Sequence, residues 1–177
     1  MTDEQAREAY RIGLRRSRAA RARGGEHRYG LTLTDEECDI LHGHSAVAEQ
    51  LVALTTGRKW LSTGDVPDDP DAGDVEGGIG VRWTERDDYS LIVHPEDKDH
   101  LCMALVTGPW PAMTIRGWRY CDECKEQRWW RVQGVRWPAF FVPQGGPGWH
   151  SIGELEKVRD PVRAEEIRWQ PSFIFSV

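Results

Sequence analysis

Several things are missing from this chain of 177 residues, and each absence removes a class of answer. No stretch approaches the about 18 consecutive apolar residues that a membrane span needs, so none is expected to cross a bilayer. The opening Met1-Thr2-Asp3-Glu4-Gln5 lacks the apolar run of a secretory signal, which points to the cytoplasm. Cysteine is scarce: four residues without a signal suggest free thiols or a metal site, not a disulfide framework. No Gly-rich phosphate cradle or nucleophile elbow occurs, and in Gly145-Gly146-Pro147-Gly148 the proline obstructs a helix-capped phosphate site. Internal repeats and long low-complexity tracts are absent as well. An excess of positive charge is also lacking. The net charge of -6 argues against a protein that coats nucleic acid with its whole surface.

What is present is unevenly spread. Residues 1–28 hold eight arginines against four acids, which leaves -10 on the remainder. Between residues 65 and 100, twelve acids face only Arg82, Arg86 and Lys98. A basic segment and an acidic middle suggest two surfaces with two kinds of partner. The basic segment, 1–28, reads as a helical arm running from about Asp3 to Arg23 and ended by Gly24-Gly25. Helical geometry places Arg7, Arg11, Arg15 and Arg18 on one stripe, beside Tyr10 and Leu14. Such a stripe can track phosphates, because each arginine that neutralises one releases a counterion.

The rest, 29–177, reads as one α+β domain. Thr34 followed by three acids opens a second helix, with Ile40, Leu41, Val47, Leu51 and Leu54 as its expected apolar face and Gly57 as its stop. Residues 65–73 (DVPDDPDAG) form a turn-rich acidic connector. Beyond it the period changes from 3.6 to 2, with strands expected at 79–84, 91–93, 101–107, 113–118 and 139–142. A short helical or irregular stretch is expected at 121–130. Asp160-Pro161 looks like a helix cap, leading to a last apolar segment at 173–177. Helices first and a mostly antiparallel or mixed sheet afterwards define the class. Nine tryptophans are many for this length. Trp118, Trp129, Trp130 and Trp137, set among arginines, are expected chiefly to pack, with arginine stems over indole faces; stacking on bases is the alternative.

The order of elements carries a further signal. A helix bearing Glu49 within 45–60 (SAVAEQLVALTTGRKW) precedes Gly73-Asp74-Val75, and then Val81-Arg82-Trp83-Thr84. Leu105-Val106-Thr107-Gly108, Ile115-Arg116-Gly117-Trp118 and 138–144 (PAFFVPQ) follow. Over residues 40–145 this pattern resembles the PD-(D/E)XK nuclease-like superfamily, in particular small phage and bacterial proteins. The resemblance implies a restriction-endonuclease-like core and a site holding Mg2+ or Mn2+ between carboxylates. Asp74 would be the first acid and metal ligand, Glu49 the helical acid, and Arg82 the cation at the phosphate. The second acid should fall at position 80, where this chain has Gly80, so the expected site is degenerate and weakly catalytic or inert. Arg82 also differs from the expected lysine, since a guanidinium binds phosphate as a fork.

Cys121-Asp122-Glu123-Cys124 has the spacing of half a zinc site, with Cys121 and Cys124 as the candidate ligands. Completion would come from Cys38, Cys102 or one of several histidines brought in by the fold. Taken together, these features lead to the expectation of a nucleic-acid-associated protein, with DNA favoured over RNA as partner. The alternatives are an active metal-dependent DNA nuclease, and a phage or mobile-element protein that docks on a nucleic-acid-processing complex through its acidic surface.

Overall fold

The structure is a computed structural model that describes residues 1–23, 33–61, 72–132 and 138–157. The expected Gly24-Gly25 helix stop, most of the 65–73 connector, Trp137, the Asp160-Pro161 cap and the 173–177 segment lie outside the described residues. The described elements are α1 (Asp3–Ala22), α2 (Asp35–Thr56), β1 (Ile79–Thr84), β2 (Leu91–Val93), β3 (Cys102–Thr107), β4 (Thr114–Tyr120), α3 (Cys121–Cys124), β5 (Trp130–Arg131) and β6 (Ala139–Val142). The class is α+β, with helices leading. No described helix is long and apolar enough to cross a membrane.

Both long helices begin in capping boxes, Thr2 with Gln5 and Thr34 with Glu37, each satisfying two otherwise orphan N–H groups. Gly57 ends α2 in the left-handed conformation, at φ 66°. The expected basic arm does not stand apart from the domain: α1 buries Ala6, Ala9, Ile12, Gly13 and Ser17. Contact with α2 is close because both helices offer glycine at the crossing. A Cβ on Gly13 would lie 2.2 Å from the His42 carbonyl oxygen, and one on Gly43 would lie 2.4 Å from the Tyr10 ring.

The face of α2 matches the expected one only in part: Val47 is buried and Leu51 packs against the first core. Ile40 and Leu54 are exposed, while Cys38, Gly43, Ala46, Val47, Ala48, Glu49, Val52 and Ala53 are buried. A helix with α1 on one side and a sheet on the other is lined mostly by small residues and valines on its buried surface.

The strands form two three-stranded sheets instead of one. The first has the order β1-β3-β4, with β1 parallel and β4 antiparallel to β3; the second has the order β2-β6-β5 and is antiparallel. β3 is buried along its whole length and serves two cores. Cys102, Ala104 and Val106 pack with Val52, Ile79, Val81 and Trp118 in one cluster. Met103 and Leu105 pack with Leu91, Val93, Val142, Cys121 and Cys124 in the other. This is the period-2 alternation of a strand with both faces covered.

Tryptophan mostly packs, as expected. Trp118 is buried, stacks on His150 at 4.5 Å and donates its indole N–H to the Ser151 carbonyl. The guanidinium carbons of Arg119 and Arg128 lie 4.6 and 4.4 Å from the ring centre of Trp129.

Candidate functional site

Glu49 sits in the middle of α2 and is 3% exposed. Its Oε2 accepts from Arg16 Nη1 of α1 at 2.7 Å and from the Trp60 indole N–H at 2.9 Å. Asp74 approaches the same region from the loop before β1. Its backbone is tied to the Trp60 segment, with the Leu61 N–H donating to the Asp74 carbonyl at 2.9 Å. Asp74 Oδ2 accepts the Val81 N–H at 2.7 Å, which caps an outward-facing group of edge strand β1. Burial pushes the Glu49 carboxyl up to about 8; the nearby Asp74 charge adds to the rise, and Arg16 and Trp60 oppose it. Glu49 and Asp74 are therefore brought into one neighbourhood, as the sequence pattern suggests.

Arg82 is not brought there. Ile79, Val81 and Trp83 turn toward α2, so Gly80 and Arg82 belong to the opposite face of β1. Arg82 Nη2 is 2.7 Å from both carboxylate oxygens of Asp97, in the loop between β2 and β3. The expected convergence of Glu49, Asp74 and Arg82 on one face thus fails, for the simple reason of strand alternation. Gly80 fits the same account: a Cβ there would meet Met103 Sδ at 2.9 Å, inside the second core. Position 80 could not aim a carboxylate at Asp74.

The arrangement does not fit a divalent ion. One Glu49 oxygen already takes two N–H donors, one Asp74 oxygen holds a strand edge, and no group of three His, Cys, Asp or Glu among the described residues could hold a metal. Cys121 and Cys124 are both fully buried in the second core. Burial pushes each thiol up to about 12, so without a metal both remain protonated and pack as small apolar groups. Cys38 is buried as well. Of the neighbouring histidines, His44 stacks on Trp83 at 4.9 Å and meets Tyr10 edge-on at 5.4 Å.

Among the described residues, four acids of the acidic middle are held in ion pairs. Asp97 takes Arg82, Asp99 takes Lys125 at 2.6 Å, Asp87 takes Arg116 at 2.7 Å, and Asp88 takes Arg86 at 3.1 Å. Lys125 Nζ also donates to the carbonyls of Pro95 and Asp97, which fastens the β2–β3 loop to α3.

The arginine stripe is placed as the helical period predicts. Arg7, Arg11, Arg15 and Arg18 are all exposed. Arg11 and Arg15 flank Glu8 at 3.3 and 3.7 Å, and Arg18 pairs with Asp39 of α2 at 3.1 Å. Arg16, Trp60 and Asp97 were not among the expected site residues. A signal for Arg16 exists in the sequence: it continues the small-residue stripe Ala6, Ala9 and Gly13, and a charge on a buried face requires a partner. Compared with known proteins, the chain matches no family model, no curated protein and no solved structure.

Proposed function

We propose that this chain is a nucleic-acid-associated module that holds its ligand without cutting it, on a core of restriction-endonuclease-like descent. The observation that carries the reading is α1, docked by one face and presenting Arg7, Arg11 and Arg15 on the other, with Arg18 exposed beside them and paired to Asp39 of α2. Arginines on a rigid, packed helix have lost part of their freedom before they meet phosphate, which lowers the cost of binding. Engagement of Glu49 by Arg16 and Trp60, and of Asp74 by Val81, supports the non-cutting half of the reading. Pairing of Asp87, Asp88, Asp97 and Asp99 with cations neutralises part of the acidic face, which makes docking through it the weaker alternative.

Two assays test this. Fluorescence anisotropy on labelled duplex and single-stranded DNA at low salt should show sequence-tolerant binding, lost when Arg7, Arg11, Arg15 and Arg18 are all replaced by glutamine. No binding at low salt, or binding unaffected by those changes, refutes the interface. Plasmid incubated with Mg2+ or Mn2+ should remain intact. Robust cutting by the wild-type chain that disappears in Asp74→Ala would establish catalysis instead.

A further inference from the structure

The arginines of α1 meet two acids of different accessibility. Glu8 lies on the open face and is 52% exposed, between Arg11 at 67% and Arg15 at 59%. Asp39 lies at the α1–α2 seam and is 16% exposed, held by Arg18, which is 67% exposed, and by Arg21, which is 25% exposed. Burial works to raise the Asp39 pKa, but hydrogen bonds from Ser17, Arg21 and Arg18 overcome it and hold the carboxyl low. The first cluster is a loose, solvent-screened surface arrangement that contributes little to stability. The second fastens one helix to another.

We propose that Glu8 is an internal stand-in for a backbone phosphate, and that phosphodiester ligands enter α1 by displacing it from Arg11 and Arg15. The proposal rests on the nucleic-acid reading above and names where that ligand binds. A carboxylate flanked by two guanidinium groups occupies the place a phosphate oxygen would take, and phosphate offers those guanidinium groups more acceptor oxygens. Arg7, exposed and one turn before Arg11, extends the same track. From Arg7 to Arg15 the helix advances about 12 Å, which makes the footprint short. Asp39 stays in place because releasing it would undock α1. Arg18, though exposed, is engaged by the retained Asp39 and is therefore counted outside the track.

The salt dependence of binding distinguishes this arrangement from a plain four-arginine stripe. Three cations with one internal carboxylate should act as about two phosphate contacts on duplex, giving a log–log slope near about -1.8. Four free arginines would give about -3.6. Glu8→Gln should steepen the slope to about -2.7 and tighten binding roughly three- to tenfold at low salt. Glu4→Gln is the control: it removes an equal charge from the exposed first turn of the same helix, where no arginine among the described residues forms an ion pair with it. That variant should stay within about twofold of wild type and leave the slope unchanged.

If Glu8→Gln and Glu4→Gln tighten binding equally, Glu8 is only one charge among others and the stand-in role is wrong. If Glu8→Gln binds like wild type, the role is also wrong, while the nucleic-acid reading survives. Failure of the wild-type chain to bind DNA at low salt defeats the broader reading itself. Circular dichroism of both variants checks that α1 keeps its helix, since both positions are exposed.

Discussion

At the scale of single residues, buried Glu49 decides most about the interior. A carboxyl raised from its ordinary value to about 8 retains in the folded state a proton that the unfolded chain has already lost. Unfolding then releases a proton, so stability falls as pH rises from about 4.5 and levels off near about 8. The slope can reach about 1.4 kcal/mol per pH unit. His44 works in the other direction, because burial holds its imidazole below the usual value and favours the fold as pH rises toward that range. Comparing wild type with Glu49→Gln cancels the His44 contribution. Denaturant titrations should show the two proteins similar at pH 5 and Glu49→Gln the more stable at pH 8. Equal pH profiles would show that Glu49 is ionised throughout and fully neutralised by Arg16. Gly80 supplies the second residue-scale test. Gly80→Glu would restore the carboxylate that the nuclease pattern expects, yet it places that charge beside Met103 in the core. The expected result is a loss of more than about 2 kcal/mol with no gain of cutting, read by denaturation and plasmid assay.

At the scale of elements, the seam between α1 and α2 depends on two glycines. Replacing glycine by alanine inside a helix normally gains about 1 kcal/mol. Here the added methyl at Gly13 would strike the His42 carbonyl, and at Gly43 it would strike the Tyr10 ring. Gly13→Ala should therefore lose about 1–3 kcal/mol, visible as a lower melting temperature, whereas Gly146→Ala, which meets open space, should change little. Much of the element list was legible in the sequence because its punctuation is local: Thr34 and Glu37 mark the start of α2, and Gly57 its end. Strands β1, β2 and β6 announced themselves through alternation and flanking turns. Partnership was not legible. Leu91-Ile92-Val93 reads the same whether it extends the first sheet or starts a second, and nothing near Arg82 names Asp97. The buried side of α2 was only partly legible, because leucine and isoleucine weigh more in a hydrophobic pattern than alanine and glycine. A helix buried on two sides selects small residues, and a pattern tuned to a single apolar stripe overlooks them. The proximity of Glu49 and Asp74 was legible through element order, whereas the opposite placement of Arg82 required the alternation of β1 to be anchored to α2.

At the scale of the whole molecule, the question is whether two sheets and two helices behave as one unit. β3 argues that they do. Its odd-sided residues Met103 and Leu105 belong to the second core, and its even-sided residues Cys102, Ala104 and Val106 belong to the first, so neither core can open without disturbing the same strand. Ion pairs cross the boundary as well, with Arg82 of β1 reaching Asp97 beyond β2. The four buried cysteines report on this directly. Cys38 lies in α2, Cys102 in the first core, and Cys121 and Cys124 in the second. Burial raises all four thiols, so in the native state each should resist a thiol-reactive dye at pH 8. In increasing urea, a single cooperative unit exposes them together, and site-resolved labelling should give midpoints that coincide with loss of helical circular dichroism. Midpoints that separate, with Cys121 and Cys124 labelled well before Cys38, would mean that the second sheet opens as a unit of its own. That outcome would locate the weaker half of the molecule on the side of β3 away from α1, leaving the arginine helix and its α2 support as the part that stays folded longest.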